Sequence, residues 1–113
     1  MVETKITSRL SIGSWITLGH PAIAEIMAAA GFDWLAVDLE HSVITIREAE
    51  ELIRIIELKG VTPFVRLSSN NPEQIKRVMD SGAHGVIVPM VNSAEAARKA
   101  VAAVKYPPIG ERS

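Results

Sequence analysis

The sequence predicts an α/β fold made of four consecutive βα units. Short apolar segments alternate along the chain with amphipathic segments of helical spacing. The apolar segments WLAV, TPFV and VIV show little polar alternation, which is typical of parallel strands that are covered on both faces. Two architectures fit this alternation. One is a doubly wound open sheet of four strands, and the other is half of a (β/α)₈ barrel, whose full length is about 250 residues.

The strands are the short apolar segments, taken in order along the chain. They are predicted at Ile12–Leu18, Trp34–Asp38, Thr62–Arg66 and Val86–Pro89. A phosphate-binding fingerprint such as GxGxxG follows none of them, which weakens a dinucleotide-binding interpretation. The aromatic residues Trp15 and Trp34, which lie in the first two strands, are expected to be core residues rather than a platform for substrate.

Start and stop signals bound the helices between these strands. Pro21 opens the first helix, and Thr45 and Glu48 form a capping box for the second. A glycine follows each of the first three helices, where a helix end commonly requires one. The helices are predicted at Pro21–Ala30, Ile46–Lys59, Pro72 to about Ser81, and from the cap Ser93 to about Val104. The methionines Met27, Met79 and Met90 are expected to serve packing.

Composition bounds the class of protein. The chain has 113 residues, of which 48% are hydrophobic and 22% charged, so residues 1–113 are expected to form one globular domain or part of one. The 12 basic and 13 acidic residues nearly cancel, and nothing in this balance indicates nucleic acid or a membrane surface as a partner. There is no cysteine, no signal peptide and no apolar run of membrane-spanning length, so we expect a cytoplasmic protein.

The stretch WLAVDLEHS carries the strongest indication of chemistry. In both architectures ligands bind at the carboxyl ends of parallel strands, and Asp38, Glu40 and His41 follow the second strand at that edge. Arg66 ends the third strand at the same edge. A histidine can act as a general base near neutral pH, and an arginine can hold a carboxylate or stabilise an oxyanion. The alternative is structural: a solvated histidine, and an ion pair between Arg66 and Asp38.

Three stretches of the sequence closely resemble a known family. AGFDWLAVDLEHS, PFVRLSSNNPEQIKRVMDSGAHGVIVPMV and YPPIGERS resemble the class II pyruvate-dependent aldolases, which include 2,4-dihydroxyhept-2-ene-1,7-dioate aldolase and 2-keto-3-deoxy sugar-acid aldolases. The resemblance implies a (β/α)₈ barrel, which favours the N-terminal half of a TIM barrel over the open sheet. It also implies cleavage of a 2-keto-4-hydroxy acid to pyruvate and an aldehyde, a divalent metal (Mg, Mn or Co), and a homo-oligomer.

The resemblance also implies roles for three residues. His41 matches the proposed base, Arg66 the arginine that contacts pyruvate and stabilises the transition state, and Asp80 the aspartate that pairs with the histidine. Asp80 falls at the end of a predicted helix, which faces the opposite edge of the sheet. It therefore reaches His41 only if the helix ends early or if the histidine belongs to a neighbouring subunit. Otherwise Asp80 is a surface acid.

Other candidates are weaker. His20 follows the first strand and could line the site, whereas His84 precedes the fourth strand and is expected at the non-catalytic edge. Glu40 is expected to support the site through an ion pair. The resemblance places the metal ligands on later strands, so no metal ligand is expected in this chain. Three possibilities stay open: an N-terminal part of an aldolase, a non-catalytic half barrel that pairs with another chain, and a small domain that binds an anionic metabolite at Arg66.

Overall fold

The computed structural model describes residues 9–113, which form a four-stranded parallel sheet and four α-helices in strict alternation. The strands are β1 (Gly13–Ile16), β2 (Trp34–Asp38), β3 (Thr62–Arg66) and β4 (Gly85–Ile87). The helices are α1 (Pro21–Ala28), α2 (Ile46–Leu58), α3 (Pro72–Asp80) and α4 (Ala94–Val104). Thus all eight predicted elements are present.

The order of the strands distinguishes the two architectures. Each strand pairs in parallel with the next one in the sequence, in the order β1-β2-β3-β4. A doubly wound sheet instead reverses its strand order at a switch point. Because parallel crossovers are right-handed, sequential order leaves every helix on the same face of the sheet. This is the arrangement of half a (β/α)₈ barrel, and the predicted fold class is confirmed.

The two faces of the sheet bury different residues. On the helix-covered face, Leu35, Val37 and Val65 are completely buried against the helices. The other face, called the concave face below, carries Trp15, Trp34 and Phe64. The Trp15 and Trp34 rings meet edge to face at 6.4 Å between centroids, and the Trp34 and Phe64 rings are 6.0 Å apart. The expectation that Trp15 is a core residue is wrong for residues 9–113, because strand alternation puts its side chain on the concave face, 40% exposed.

Both ends of β1 and of β4 differ from the prediction: β1 is Gly13–Ile16 rather than Ile12–Leu18, and β4 is Gly85–Ile87 rather than Val86–Pro89. β1 starts one residue late because the backbone of Ile12 is engaged by Asp33: its N–H donates to Asp33 Oδ2 at 2.9 Å and its carbonyl accepts from Asp33 N at 2.7 Å. β4 ends at Ile87 rather than Pro89. Proline has no N–H to donate to a ladder, and Pro89 and Met90 form a turn there.

The open edges of this sheet allow a prediction for residues 1–113 alone. Among the described residues β1 and β4 each pair on one side only, and the concave face exposes aromatic surface. We expect the isolated chain to associate in solution, because unpaired edges and apolar surface favour contact with another chain. Light scattering after gel filtration measures this. Ile87→Lys, which places a charge on the edge strand, should shift the mass toward the monomer.

A monomeric mass for the unaltered chain at all concentrations, together with cooperative unfolding, would contradict this prediction. We also expect the isolated chain to release no pyruvate from a 2-keto-4-hydroxy acid, with or without added manganese.

Candidate active site

β2 and β3 end side by side in an ion pair whose carboxylate is buried and whose guanidinium is partly exposed. Asp38 and Arg66 are register partners, and the hydrogen bond from Leu39 N to Arg66 O, 2.8 Å, extends the pairing by one residue. The Arg66 guanidinium donates from Nε to Asp38 Oδ1 at 3.0 Å and from Nη2 to Asp38 Oδ2 at 2.6 Å. Asp38 is 1% exposed. This two-pronged geometry is the strongest form of an arginine–carboxylate pair.

Asp38 also shapes the loop that carries His41. Its Oδ1 accepts hydrogen bonds from the backbone N–H groups of Glu40, at 2.9 Å, and His41, at 3.2 Å. Ser42 Oγ donates to the Asp38 carbonyl and accepts from Ile44 N at 3.1 Å. The sequence DLEHS therefore follows a buried strand because its first acid fixes the turn that presents the other residues.

Glu40 links the histidine to the arginine. Its Oε1 lies 3.5 Å from His41 Nε2 and 3.6 Å from Arg66 Nε. The side chain of Glu40 is largely buried, whereas that of His41 is 70% exposed. The structure thus brings together the predicted residues His41 and Arg66 through a shared carboxylate, which is the supporting position expected of Glu40.

Trp15 covers one face of the Arg66 guanidinium. The Arg66 Cζ atom lies 4.3 Å from the centroid of the indole ring, within the range of a cation–π contact. Asp38 binds the edge of the same guanidinium, so the guanidinium plane is restrained by one contact at its edge and one on its face. Arg66 is still 26% exposed, and its Nη1 makes no hydrogen bond within residues 9–113. This leaves donor capacity for a carboxylate or an enolate oxygen.

The contact of Trp15 with Arg66 was not predicted from the sequence, although the alternation of side chains along the strands could have indicated it. Trp15 is the register partner of Ala36, two residues before Asp38 on the same strand. Residues two apart on a strand share a face. Once the pairing of the strands is known, Trp15 therefore falls on the face that also carries the ion pair.

The ion pair fixes the charge of both partners. The hydrogen bond from Arg66 is the largest cause that lowers the pKa of Asp38 to about 2, and the backbone N–H groups of His41 and Glu40 add to it against the opposing effect of burial. The hydrogen bond to Asp38 raises the pKa of Arg66. Asp38 is therefore an anion at neutral pH and serves as a fixed partner of the Arg66 guanidinium.

This pKa shift predicts how stability depends on pH. A lowered native pKa stabilises the fold at pH values above the ordinary pKa of 3.8, and this stabilisation is lost as the pH falls toward 2. The contribution is on the order of 2 kcal/mol. We expect Asp38→Asn to remove it, so that the free energy of unfolding in urea differs between the two proteins at pH 6 and converges near pH 2. Glu51→Gln, at an exposed position in the interior of α2, is the matched control.

Equal stabilities of the Asp38→Asn variant and the unaltered protein at pH 6 would show that the ion pair contributes nothing net to folding.

The third predicted residue, Asp80, lies elsewhere. It is the last residue of α3, and the helices return the chain to the amino ends of the strands, which is the edge opposite to His41. Its Oδ1 accepts from Arg112 Nη1 at 2.8 Å, and the Arg112 guanidinium also stacks on Tyr106 at 4.0 Å. The structure does not bring Asp80 to His41 of the same chain. Pairing across subunits stays a prediction.

The other two histidines have structural partners. His20 accepts a hydrogen bond at Nδ1 from Ala22 N, 3.0 Å away, and so caps the N-terminus of α1. His84 Nε2 lies 2.9 Å from Glu57 Oε2, at the edge opposite to His41. His20 is at the same edge as His41 but belongs to the cap, and His84 lies where the sequence indicated.

The described part of the chain contains no cluster of three or more side chains that could hold a metal ion. Asp38, the most buried acid at the edge, is already engaged by Arg66 and by two backbone N–H groups. The residues here therefore do not fit a metal centre of their own.

None of the helices within residues 9–113 is long and apolar enough to cross a membrane.

The fold and this edge define a βα-barrel protein whose polar residues converge at the carboxyl ends of the strands. The chain belongs to the HpcH/HpaI aldolase/citrate lyase family, whose model matches residues 11–113. It is 45% identical over 101 residues to the 2-dehydro-3,6-dideoxy-6-sulfogluconate aldolase of Pseudomonas putida, covering 89% of this chain and 40% of the relative. It is 42% identical over 110 residues to a 4-hydroxy-2-oxo-heptane-1,7-dioate aldolase of Salmonella paratyphi C, covering 97% and 42%.

Similar solved structures support this family membership. An HpcH/HpaI aldolase from Desulfitobacterium hafniense superposes with a TM-score of 0.88 at 38% identity, over 96% of this chain and 43% of that one. The citrate synthase SbnG superposes with a TM-score of 0.85 at 34% identity, over 91% and 42%. The chain thus spans about two fifths of the length of the curated relatives it matches. The family suggested by the three sequence stretches is confirmed.

Proposed function

We propose that the protein acts as an aldolase that cleaves a 2-keto-4-hydroxy acid to pyruvate and an aldehyde. The observation that carries the proposal is the Arg66 guanidinium, fixed by Asp38 and Trp15 beside His41 at the carboxyl edge of the sheet. The names of the aldolase relatives support the reaction class. The whole reaction belongs to the complete barrel, by which we mean these residues joined to the C-terminal part that the relatives possess.

Two residues of this chain have roles in the proposed reaction. In the cleavage direction His41 removes the proton from the C4 hydroxyl, the C3–C4 bond breaks, and its electron pair passes to pyruvate as an enolate. The proton then returns to C3, so that atoms and charge balance. Arg66 holds the carboxylate and the developing enolate oxygen through donors that Asp38 leaves unused, which is electrostatic stabilisation of the transition state.

The divalent metal implied by the resemblance is part of the proposal. A metal of this kind acts as a Lewis acid on the pyruvate oxygens. Since residues 9–113 do not provide a metal centre, we expect its ligands in the C-terminal part of the barrel. Which of Mg, Mn or Co is used is left to the experiment.

The test is pyruvate release by the complete barrel. Either the gene product or a fusion of these residues to the C-terminal part of the Pseudomonas putida relative can be used. 4-Hydroxy-2-oxo acids are supplied with Mg, Mn or Co, and release is followed through lactate dehydrogenase. We expect activity that EDTA abolishes and added metal restores. Absence of release with every metal would overturn the proposed reaction, and release that survives EDTA would overturn its metal dependence.

We further propose that Asp80 acts on His41 of a neighbouring subunit. Separately tagged His41→Ala and Asp80→Asn chains, both nearly inactive alone, are mixed and the hybrid oligomer is isolated. If the two residues act across subunits, half of the hybrid sites keep both residues and activity returns. If they act within one chain, or if Asp80 serves only Arg112, the hybrid gains nothing.

A second candidate is a synthase that works in the direction of bond formation. The similarity to the citrate synthase SbnG favours it, at 34% identity over 91% of this chain. The edge geometry suits both directions, since Arg66 stabilises the same enolate. Mass spectrometry of condensation products formed from pyruvate with an aldehyde, or with a 2-keto acid as acceptor, separates the two functions.

A further inference from the structure

Met90 has a backbone conformation that a methionine rarely adopts. Its φ angle is +59°, and it lies in a turn with Pro89 just beyond β4. Proline suits the first central position of a turn, but the second position with positive φ favours glycine. Among the described residues every other positive φ angle belongs to a glycine: Gly31, Gly60 and Gly82. At Met90 alone the chain accepts the strain of a side chain in this conformation.

Packing within the described residues does not explain this side chain. Met27 and Met79 pack against the core, as the sequence suggested, but Met90 is 83% exposed. The expectation that Met90 serves packing is therefore wrong for residues 9–113. Met90 thus combines positive φ with an exposed side chain, and any partner of this side chain lies outside residues 9–113.

The position of Met90 indicates which contact. Ile87 is the register partner of Arg66, and the hydrogen bond from Leu67 N to Ile87 O, 3.0 Å, joins the ends of their strands. Met90 follows three residues later, at the same edge as His41 and Arg66. The three glycines with positive φ instead follow helices α1, α2 and α3, at the opposite edge. Among the described residues, the one side chain held at positive φ therefore lies at the edge where a barrel carries its functional residues.

The chemistry of the Met90 side chain indicates which kind of group it contacts. A thioether on a flexible, unbranched chain fits irregular apolar partners. The loops after β1 and β2 also expose one large apolar residue each at this edge, Leu18 and Val43. Pyruvate offers a carboxylate and a keto oxygen to Arg66, so the apolar part of the reacting pair is the carbon chain of the aldehyde. We infer that Met90 contacts this chain and sets the preference for its length. The inference rests on the proposed function.

The test measures condensation of pyruvate with a series of straight aldehydes from acetaldehyde to hexanal, in the complete barrel. Met90→Ala keeps the turn strained and Met90→Gly relieves it, yet both remove the thioether chain. We expect both to lower kcat/KM for hexanal relative to acetaldehyde by at least about tenfold, mainly through the aldehyde KM. Met90→Leu should keep the preference. Leu58→Ala, another exposed apolar position at the opposite edge, is the matched control.

A second readout needs no aldehyde. Exchange of the C3 hydrogens of pyruvate with deuterium reports enolate formation, and we expect it to be unchanged in all Met90 variants. Unaltered length preference in the Ala and Gly variants overturns the inference. So does an equal loss of hydrogen exchange, or a changed oligomeric mass with the preference intact, because Met90 would then act on the enolate or on packing. If the unaltered enzyme shows no exchange at all, the proposed function fails and the inference with it.

Discussion

In the complete barrel, replacement of His41 with alanine is expected to lower kcat for aldol cleavage by about 10²–10⁴-fold while leaving the fold intact. This is the usual contribution of a positioned general base. The fold should tolerate the change because the side chain is 70% exposed on a loop whose turn is held by Asp38 through backbone hydrogen bonds. The measurement is kcat at saturating metal, with thermal unfolding recorded for each variant.

His84→Ala is the matched control for this experiment. It removes an imidazole at the opposite edge, where His84 pairs with Glu57, and should leave kcat unchanged. A near-normal kcat in the His41 variant would remove His41 from the mechanism. A pH–rate profile adds a second check, because removal of a general base should change the pH dependence of the residual activity.

Arg66→Lys is expected to lower kcat/KM for pyruvate-dependent condensation by about 10²–10³-fold although the charge is conserved. Arg66 uses two nitrogens on Asp38 and still has donors for a ligand, whereas a lysine presents its donors from one nitrogen and lacks the planar fork that matches two carboxylate oxygens. The loss of a donor aimed at a developing oxyanion is commonly of this size. If lysine works as well as arginine, Arg66 provides only charge.

This variant also disturbs a buried carboxylate, so stability has to be separated from catalysis. Asp38→Asn provides the comparison, because it weakens the same pair while leaving the guanidinium in place. Unfolding by urea at neutral pH should show both variants destabilised, and Arg66→Lys should show the larger loss of kcat/KM. Arg54→Lys, in an exposed pair with Glu50 on α2, should change neither quantity.

The parts of the fold that were predicted from the sequence depend on local signals. Proline, capping and glycine signals placed the helices, and the capping box of Thr45 and Glu48 is present as predicted. Uninterrupted apolar runs placed the strands. The order of the strands was left open by these patterns, because periodicity reports which face of an element is buried and not which element lies beside it. The family resemblance favoured the barrel, and the pairing of β1 to β4 agrees with it.

The candidate site likewise has residues that local sequence signals predicted and contacts that they did not. His41 and Arg66 were predicted together because His41 follows one strand and Arg66 ends the next strand at the same edge. The pair between Arg66 and Asp38 was named as the structural alternative. The contact of Arg66 with Trp15 depends on the register of β1 and β2, which the sequence does not show. The contact of Asp80 with Arg112 depends on how the tail folds back, and Gly110 permits that return because an added Cβ would lie 2.1 Å from the Lys105 carbonyl oxygen.

The sequential order of the strands also bears on how the chain folds during synthesis. Each strand pairs with the one that was made just before it, so every pairing closes a loop that contains one helix and its two turns. A short loop costs less entropy to close than a pairing between strands that lie far apart in the sequence. During synthesis, each new βα unit can therefore pair with the strand of the unit that was made before it. Within residues 9–113, the outer edge of β4 has no paired strand and so offers its backbone groups to a further strand.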